Sequence, residues 1–401
     1  MKSAYIVDIL RTPIGKYGGT LASVRPDDLA AHVIKKLVER NSSLDVHSIE
    51  DVVFGAANQS GEDNRNVARM ALLLGGLPKE VGGVTVNRLC ASGLQAIMDA
   101  SRAVMLGEGE VYIAGGVESM SRAPFVMAKA TESFSRKAEV FDTTMGWRFI
   151  NSKLSALYHP YSMGETAENV AAKWNISREE QDKFGLASQE KYQRAHEAGK
   201  FTDELVSVPV QQGKEIIDFN KDEHPRTTTL EKLATLKPAF KEGGTVTAGN
   251  SSGINDGAAA ALVVSEDALK KYNLKPIARV VSFAIAGVDP AYMGVGPVPA
   301  VQKALKRAGL KISDIGLFEL NEAFASQLLA CIRDLDLNPD IVNVNGGAIA
   351  IGHPLGCSGV RISATLIHEM KKRNAKYGVA TMCIGVGQGA GIVYENLLLN
   401  S

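Results

Sequence analysis

The chain has 401 residues, 45% of them hydrophobic, with 44 Lys and Arg balanced by 44 Asp and Glu. It is long enough for two or three domains with full cores, and its zero net charge argues against a nucleic-acid or anionic-membrane surface. No apolar run approaches a membrane span, and four dispersed cysteines (Cys90, Cys331, Cys357, Cys383) form neither a disulfide framework nor a zinc site, which suits a reducing cytoplasm.

In chain order, Ala4-Tyr5-Ile6-Val7-Asp8 reads as a first strand rather than a signal peptide. A helix opened by Pro26-Asp27-Asp28 runs to about Arg40. Strand 51–56, helix 64–74, strand 82–87, helix 92–106 and strand 111–115 follow, an alternation that implies a mostly parallel sheet with helices on its faces. Over 122–251 strand signals fade and charges interleave, which predicts a helical insertion over one end of the sheet. Within it, Ser177-Arg178-Glu179-Glu180 has capping-box spacing, and Gly199 suits the end of the helix that this box begins. Strands 257–264 and 277–286, helix 297–309, strand 316–320, helices 323–334 and 358–373, and strands 378–384 and 390–395 complete the chain.

The second half echoes the first. Val46-His47-Ser48-Ile49-Glu50-Asp51 matches Ile312-Ser313-Asp314-Ile315, each after a helix and before a strand. Cys90-Ala91-Ser92-Gly93 falls opposite Gly356-Cys357-Ser358-Gly359, each opening a helix. Such a duplication sets two equivalent helix N-termini face to face, a natural place for a site.

Cys90 sits where a strand turns into a helix, so unpaired amides and the helix dipole favour its thiolate, although a buried small hydrophobe fits a free cysteine equally well. His353 lies in the glycine-rich loop before the second such helix, with Pro354 fixing the backbone after it. Cys383-Ile384-Gly385-Val386-Gly387 ends a strand in a loop able to aim amides at an oxyanion, or simply in a tight hairpin. Asn321 ends another strand and can orient a water or cap a helix. The polar stretch 248–258 serves equally as a domain connection or a ligand-lining loop. Cys331 on an amphipathic helix is core, and Cys357, whose counterpart is Ala91, is packing.

Together these stretches resemble the thiolase family from first strand to last. The resemblance is carried by Asn87-x-x-Cys90-x-Ser92-Gly93, Ala248-Gly249-Asn250-x-Ser252-Gly253-x-x-Asp256-Gly257-Ala258, Asn321-Glu322-Ala323-Phe324, Gly352-His353-Pro354-x-Gly356-x-Ser358-Gly359 and Cys383-x-Gly385. It implies an α/β duplicated thiolase fold, two βαβαβαββ-type halves in a five-layer αβαβα arrangement. It also implies an N-terminal domain at 1–268 containing the inserted loop domain 122–251, a C-terminal domain at 275–401, and homodimers or homotetramers. The implied reaction is thiolysis of a 3-oxoacyl-CoA by CoA, or the reverse condensation, through an acyl-cysteine. Carried over by position, Cys90 is the nucleophile, His353 its activator, and Cys383 the acid/base for the departing enolate. Asn321 holds a water beside His353 in one oxyanion pocket, and the Cys90 and Gly385 amides form the other. Ser252 holds CoA, Ala248, Met163 and Phe324 are further substrate contacts, and Arg226 meets the nucleotide end. No metal or permanently bound cofactor is implied; coenzyme A and acyl-CoA enter as substrates, and the location is cytoplasmic.

Sulfur suits this chemistry because it both adds to a ketone and leaves again from a thioester. Two positions depart from the family pattern. Val386 stands where many members have a third consecutive Gly, which narrows the room beside the Gly385 amide, and Ser162-Met163-Gly164 replaces the His-Met-Gly of acetoacetyl-CoA-specific biosynthetic members. The second departure favours a degradative enzyme. Residues 61–69, 119–127 and 141–149 are similar to bacterial 3-oxoadipyl-CoA thiolases of aromatic-compound breakdown. Such a substrate carries a free carboxylate, for which Arg148 is a candidate partner, the alternative being that Arg148 makes an ordinary ion pair. The competing functions are an acetoacetyl-CoA thiolase, a decarboxylating ketoacyl synthase, which uses His or Asn at the Cys383 position, and a non-catalytic acyl-CoA carrier, which would lack the nucleophile.

Overall fold

The computed structural model describes residues 2–399. Nine strands form one continuous hydrogen-bonded path. In chain order they are β1 (Ala4–Arg11), β2 (Asp51–Gly55), β3 (Gly82–Val86), β4 (Val111–Ser119), β5 (Asn255–Val264), β6 (Ala278–Gly287), β7 (Leu317–Leu320), β8 (Tyr377–Ile384) and β9 (Gln388–Asn396). Their spatial order is β7-β8-β9-β6-β1-β5-β4-β2-β3. β2 runs parallel to β3 and β4, and β7 runs parallel to β8. The pairs β1–β5, β4–β5, β6–β9 and β8–β9 are antiparallel. The two halves meet at β1 and β6, through the register Ala4↔Val280 to Ile6↔Ala278.

The helices used below are α1 (Pro26–Arg40), α2 (Val67–Leu74), α3 (Ser92–Leu106), α4 (Met163–Lys173), α5 (Arg178–Glu197), α6 (Pro297–Ala308), α7 (Ala325–Asp334) and α8 (Leu355–Arg373). Their ends follow from local chemistry. α1 has Pro26 in its first turn with Asp27 and Asp28, and Arg40 in its last, matching the helix dipole. α3 stops at Gly107, which takes the left-handed conformation at φ 80°. α5 carries the expected reciprocal Ser177–Glu180 capping box, and Gly199 is left-handed two residues past its end.

Three buried apolar clusters show the layering. Val7, Leu10, Val52, Phe54, Ile113 and Leu262 face α1 and α2 on one side of the first half. Ala284, Phe318, Val379 and Val393 face α6 and α7 on the far side of the second. Ile6, Ile9, Ala114, Ala259, Met382 and Ile392 face α3 and α8, which lie between the halves. Strand alternation thus gives each half an outer and an inner apolar face, and five layers result.

The duplication is visible in the strand order. From the junction outward the first half reads β1, β5, β4, β2, β3, and the second reads β6, β9, β8, β7. Where the first half has β3, the second has a single parallel bridge, Phe318↔Val342. The matched segments at 46–48 and 312–314 are both short 3₁₀ helices. Cys90 follows β3 and precedes α3; His353 follows that bridge and precedes α8. Gly93 and Gly359 let these two helices touch by their backbones, because a Cβ at Gly93 would sit 2.7 Å from the Gly356 carbonyl and one at Gly359 2.1 Å from the Leu94 amide.

The sequence expectation needs correction in five places. The sheet is not mostly parallel: five of its eight neighbouring pairs are antiparallel, because β8 and β9 form a hairpin and β1, β5 and β6 run opposite to their neighbours. The insertion is not purely helical: Phe125–Met127 pairs with Val140–Asp142, and Val208–Gln212 with Glu215–Phe219. The second hairpin turns tightly at Gly213 (φ 60°), with Val208 and Val210 buried in alternation, a short signal hidden by the surrounding charge. α7 begins at Ala325, so Asn321 to Phe324 form a loop ahead of it. α8 begins at Leu355, directly after Pro354, and Ala348–Ile351 makes a further short turn of helix inside the glycine-rich stretch. A short helix at Glu266–Lys271, capped by Ser265, also went unanticipated.

Candidate active site

Cys90 is half-buried at the end of a tight turn. The Ser92 hydroxyl accepts from the Arg88 amide at 2.9 Å and donates to the Leu89 carbonyl at 2.7 Å. The Asn87 side chain accepts from the Leu89 amide at 2.8 Å and donates to the Ala57 carbonyl at 2.9 Å. These bonds hold Leu89 at φ 47°, a left-handed conformation that a leucine seldom adopts, and so set the cysteine after it. The amides of Gly385 and of Cys90 itself both point at the sulfur. The expectation that the helix terminus favours a thiolate is overturned. Burial outweighs those two amides, the Glu118 carboxylate adds to it, and the thiol is pushed up to about 11.

His353 is buried in a loop that Gly352 enters at φ 114°. Its amide donates to Asn255 Oδ1 at 2.9 Å. Its Nδ1 lies 2.7 Å from Ser358 Oγ, and Ser358 donates its one hydrogen to the Pro354 carbonyl at 2.8 Å. Nδ1 therefore carries the ring proton, and Nε2 keeps a lone pair. Burial, helped by the Arg361 cation, takes the imidazole down to about 3. Burial thus favours the neutral form of both the imidazole and the Cys90 thiol.

Asn321 leaves β7 with its amide bonded to the Thr381 carbonyl of β8, two residues before Cys383. Its side-chain nitrogen is 3.4 Å from both ring nitrogens of His353, hence along neither lone pair. Cys383 is buried in an apolar cluster with Ala167, Val246, Met293, Ala323 and Phe324, edged by Met163 and Phe240. Burial, then the neighbouring Cys90 and Cys331, push its thiol well above the ordinary cysteine range. A Cβ on Gly385 would meet Leu89 at 3.2 Å and Met163 at 3.5 Å, so the strand-end amide, the cysteine turn and the start of α4 converge on one spot. Cys90 and Gly385 thus lie close to Cys383, and Asn321, bonded to the strand that ends in Cys383, lies against His353. Cys331 and Cys357 are fully buried core residues.

The predicted substrate contacts lie around this centre. The Ser252 amide donates to the Ala323 carbonyl at 3.0 Å, and Ser251 bridges to Phe324. Phe324 stands edge-on to Phe240 at 6.1 Å. Arg226 is exposed, with its guanidinium on the Ala248 carbonyl at 3.1 Å and its amide on Gln189 Oε1 at 2.9 Å. Ser162 acts structurally, forming with Glu165 the capping box that starts α4 at Met163. Arg148 is half-buried and makes no ion pair or hydrogen bond with the described residues, against the alternative expected for it. Val386 is 41% exposed and sits at φ 63°, so its cost falls on the backbone.

Sequence reasoning missed several supporting groups. Glu118 is buried, accepts from the Ala57, Asn58 and Gly356 amides at 3.0, 3.0 and 2.8 Å, and is raised to about 7, chiefly by burial. It ties the loop beneath Asn87 to the first turn of α8. Glu322 accepts from Ser188, Asn343 and the Ile349 amide at 2.6, 2.9 and 3.1 Å, anchoring the glycine-rich loop to α5. Glu322 and Ser358 are named in the quoted motifs, so a signal for them existed; Asn255 stands at an open position of its motif, and Glu118, inside an apolar strand, gave none. Among the described residues no group of three or more His, Cys, Asp and Glu could hold a metal ion, and no helix is long and apolar enough to cross a membrane.

A cysteine facing two amides, a buried histidine and a second thiol in a duplicated five-layer α/β frame suit an enzyme that transfers acyl groups. Residues 4–267 match the thiolase N-terminal domain and residues 274–396 the thiolase C-terminal domain. The chain is 54% identical over 401 residues to a beta-ketoadipyl-CoA thiolase of Escherichia coli, and 53% identical to one of Acinetobacter baylyi, covering 99% of this chain and 100% of each relative. It is 46% identical, with the same coverage, to an acetyl-CoA acetyltransferase of Syntrophomonas wolfei. Among solved structures, Bacillus anthracis acetyl-CoA acetyltransferase superposes with a TM-score of 0.93 at 42% identity, covering 99% of both chains. Human mitochondrial 3-ketoacyl-CoA thiolase in complex with CoA gives 0.91 at 42% identity, covering 98% of both. The chain belongs to the thiolase family. It is an acyltransferase whose substrates are CoA and acyl-CoA.

Proposed function

We propose that this thiolase cleaves 3-oxoacyl-CoAs that end in a free carboxylate, 3-oxoadipyl-CoA first among them, to acetyl-CoA and a carboxyacyl-CoA. The observation that carries this is the full-length 54% identity to Escherichia coli proteins named beta-ketoadipyl-CoA thiolase and 3-oxoadipyl-CoA/3-oxo-5,6-dehydrosuberyl-CoA thiolase, against 46% to an acetyl-CoA acetyltransferase. Support also comes from Arg148, a half-buried guanidinium without a partner among the described residues. It follows Trp147, whose indole donates to the Tyr161 carbonyl at 2.9 Å, two residues before Met163. A guanidinium held there suits bidentate pairing with the far end of an acyl chain.

In this reading His353 Nε2 takes the Cys90 proton as the sulfur adds to the 3-oxo carbon. The new oxyanion lies within reach of the Gly385 and Cys90 amides. The bond between the second and third acyl carbons then breaks, leaving acyl-Cys90 and the enolate of acetyl-CoA. Asn321 and His353 hold the enolate oxygen, directly or through a water, while the Cys383 thiol gives the enolate carbon its proton. A thiol held protonated by burial is suited to that donation. CoA, lying along Ser252, Ala248, Phe324 and Met163 with its nucleotide end near Arg226, gives its thiol proton to the Cys383 thiolate and attacks the acyl carbon; the Cys90 sulfur leaves and recovers its proton from His353 Nε2, so both groups end as they began. No further cofactor is required. The working protein is a cytoplasmic homodimer or homotetramer, divided at 268–275 with the insertion at 122–251.

The test is a panel of 3-oxoadipyl-CoA, acetoacetyl-CoA and a long-chain alkyl 3-oxoacyl-CoA with CoA, followed by loss of enolate absorbance. The highest kcat/KM for 3-oxoadipyl-CoA is expected. A preference for acetoacetyl-CoA would replace this reading with an acetyl-CoA acetyltransferase, and cleavage of none would leave an acyl-CoA carrier.

A further inference from the structure

We infer that Arg361 is a positioning residue of the reaction, turning the Asn321 amide so that its N–H groups face His353 and the reacting oxygen. The inference rests on the role proposed above for Asn321. Arg361 lies six residues into α8, is wholly inaccessible to solvent, and its Nη2 donates to Asn321 Oδ1 at 3.3 Å. A carboxamide has one acceptor and one donor end, so a guanidinium on the oxygen forces the NH₂ to the other side. That side holds His353, 3.4 Å away from Asn321 Nδ2 at both ring nitrogens.

Core packing alone does not account for an arginine here. Its Nε and Nη1 have no hydrogen-bond partner. The nearest acid acting on it is Glu319, on β7 two residues before Asn321, itself buried and pushed up to about 8 by that burial, so it balances the charge incompletely near neutral pH. An incompletely paired buried cation is costly, and a methionine or leucine would fill the same space at less expense. The single polar bond this cation makes to a side chain goes to Asn321 among the described residues. The same charge sits close enough to His353 to disfavour imidazolium, which keeps Nε2 free.

The test is a double-mutant cycle on Arg361→Met and Asn321→Ala, reading kcat and KM for thiolysis. Arg361→Met should lower kcat roughly ten- to hundredfold with KM for CoA unchanged, as removal of one oxyanion donor does. In the Asn321→Ala background the same change should lower kcat no further. Equal losses in both backgrounds, or an unchanged kcat in the single variant, would overturn the inference. Should Arg361→Met not fold, Arg361→Lys keeps the cation and carries the same comparison: loss in the native background alone supports the inference, and equal loss in both overturns it. Full thiolysis by Asn321→Ala would instead remove the role of Asn321 itself, a separate outcome.

Discussion

His353 Nδ1 and Ser358 Oγ lie 2.7 Å apart, and since the serine hydrogen goes to the Pro354 carbonyl, the serine oxygen accepts the ring proton. This one bond leaves Nε2 as the nitrogen with a free lone pair, the one that takes the Cys90 proton in the proposed mechanism. Ser358→Ala removes the lock without filling the site. Its kcat should fall about tenfold or more, the worth of a buried hydrogen bond, with KM for CoA unchanged. Steady-state kinetics at saturating CoA measure this. An unaltered kcat would mean that the tautomer is set elsewhere.

The resting cysteine should behave as a thiol. Cys90 is pushed up to about 11 by burial and His353 down to about 3, so both stay neutral between those limits. Only the thiolate alkylates, and its fraction rises about tenfold per pH unit below the pKa. Iodoacetamide inactivation should therefore steepen steadily from neutral pH upward, with no plateau before about pH 10. A plateau at or below neutrality would indicate a resting thiolate–imidazolium pair.

Val386 occupies the left-handed region at φ 63°, where a β-branched side chain is a rare outlier. Val386→Gly should relieve about 1 kcal/mol of that strain. The expected observation is a higher thermal or urea midpoint with kcat/KM unchanged, because the side chain is largely directed outward. A lower midpoint would show that the valine packs against something worth more than its strain.

Arg148→Ala separates the substrates. Losing a charge-assisted pair of hydrogen bonds to a carboxylate should raise KM for 3-oxoadipyl-CoA by about tenfold or more and leave acetoacetyl-CoA unaffected. Equal changes for both substrates would place the carboxylate elsewhere.

The sequence carried most of the frame because the chain is doubled. Strand-to-helix turns before α3 and α8, the second of them glycine-rich, and matched 3₁₀ segments at 46–48 and 312–314 mark the repeat without reference to contacts. The candidate site residues were legible for the same reason, each standing near a strand end or helix start. What stayed hidden depends on burial. The state of Cys90 could not be read from its place near a helix terminus, because burial opposes the two amides that face the sulfur and outweighs them. Glu118 sits within an otherwise apolar strand and Arg361 is one of several polar residues along α8, so only the folded packing reveals what they hold. The hairpin at Val208–Gln212 and Glu215–Phe219 is too short to outweigh its charged surroundings.

The most direct test of the account is to mix the protein with 3-oxoadipyl-CoA, quench with acid before CoA is added, and map the digest by mass spectrometry. A succinyl group on the peptide carrying Cys90, absent from the Cys90→Ala variant, is the predicted result. An unmodified Cys90, or an acyl group on Cys383 instead, would contradict it.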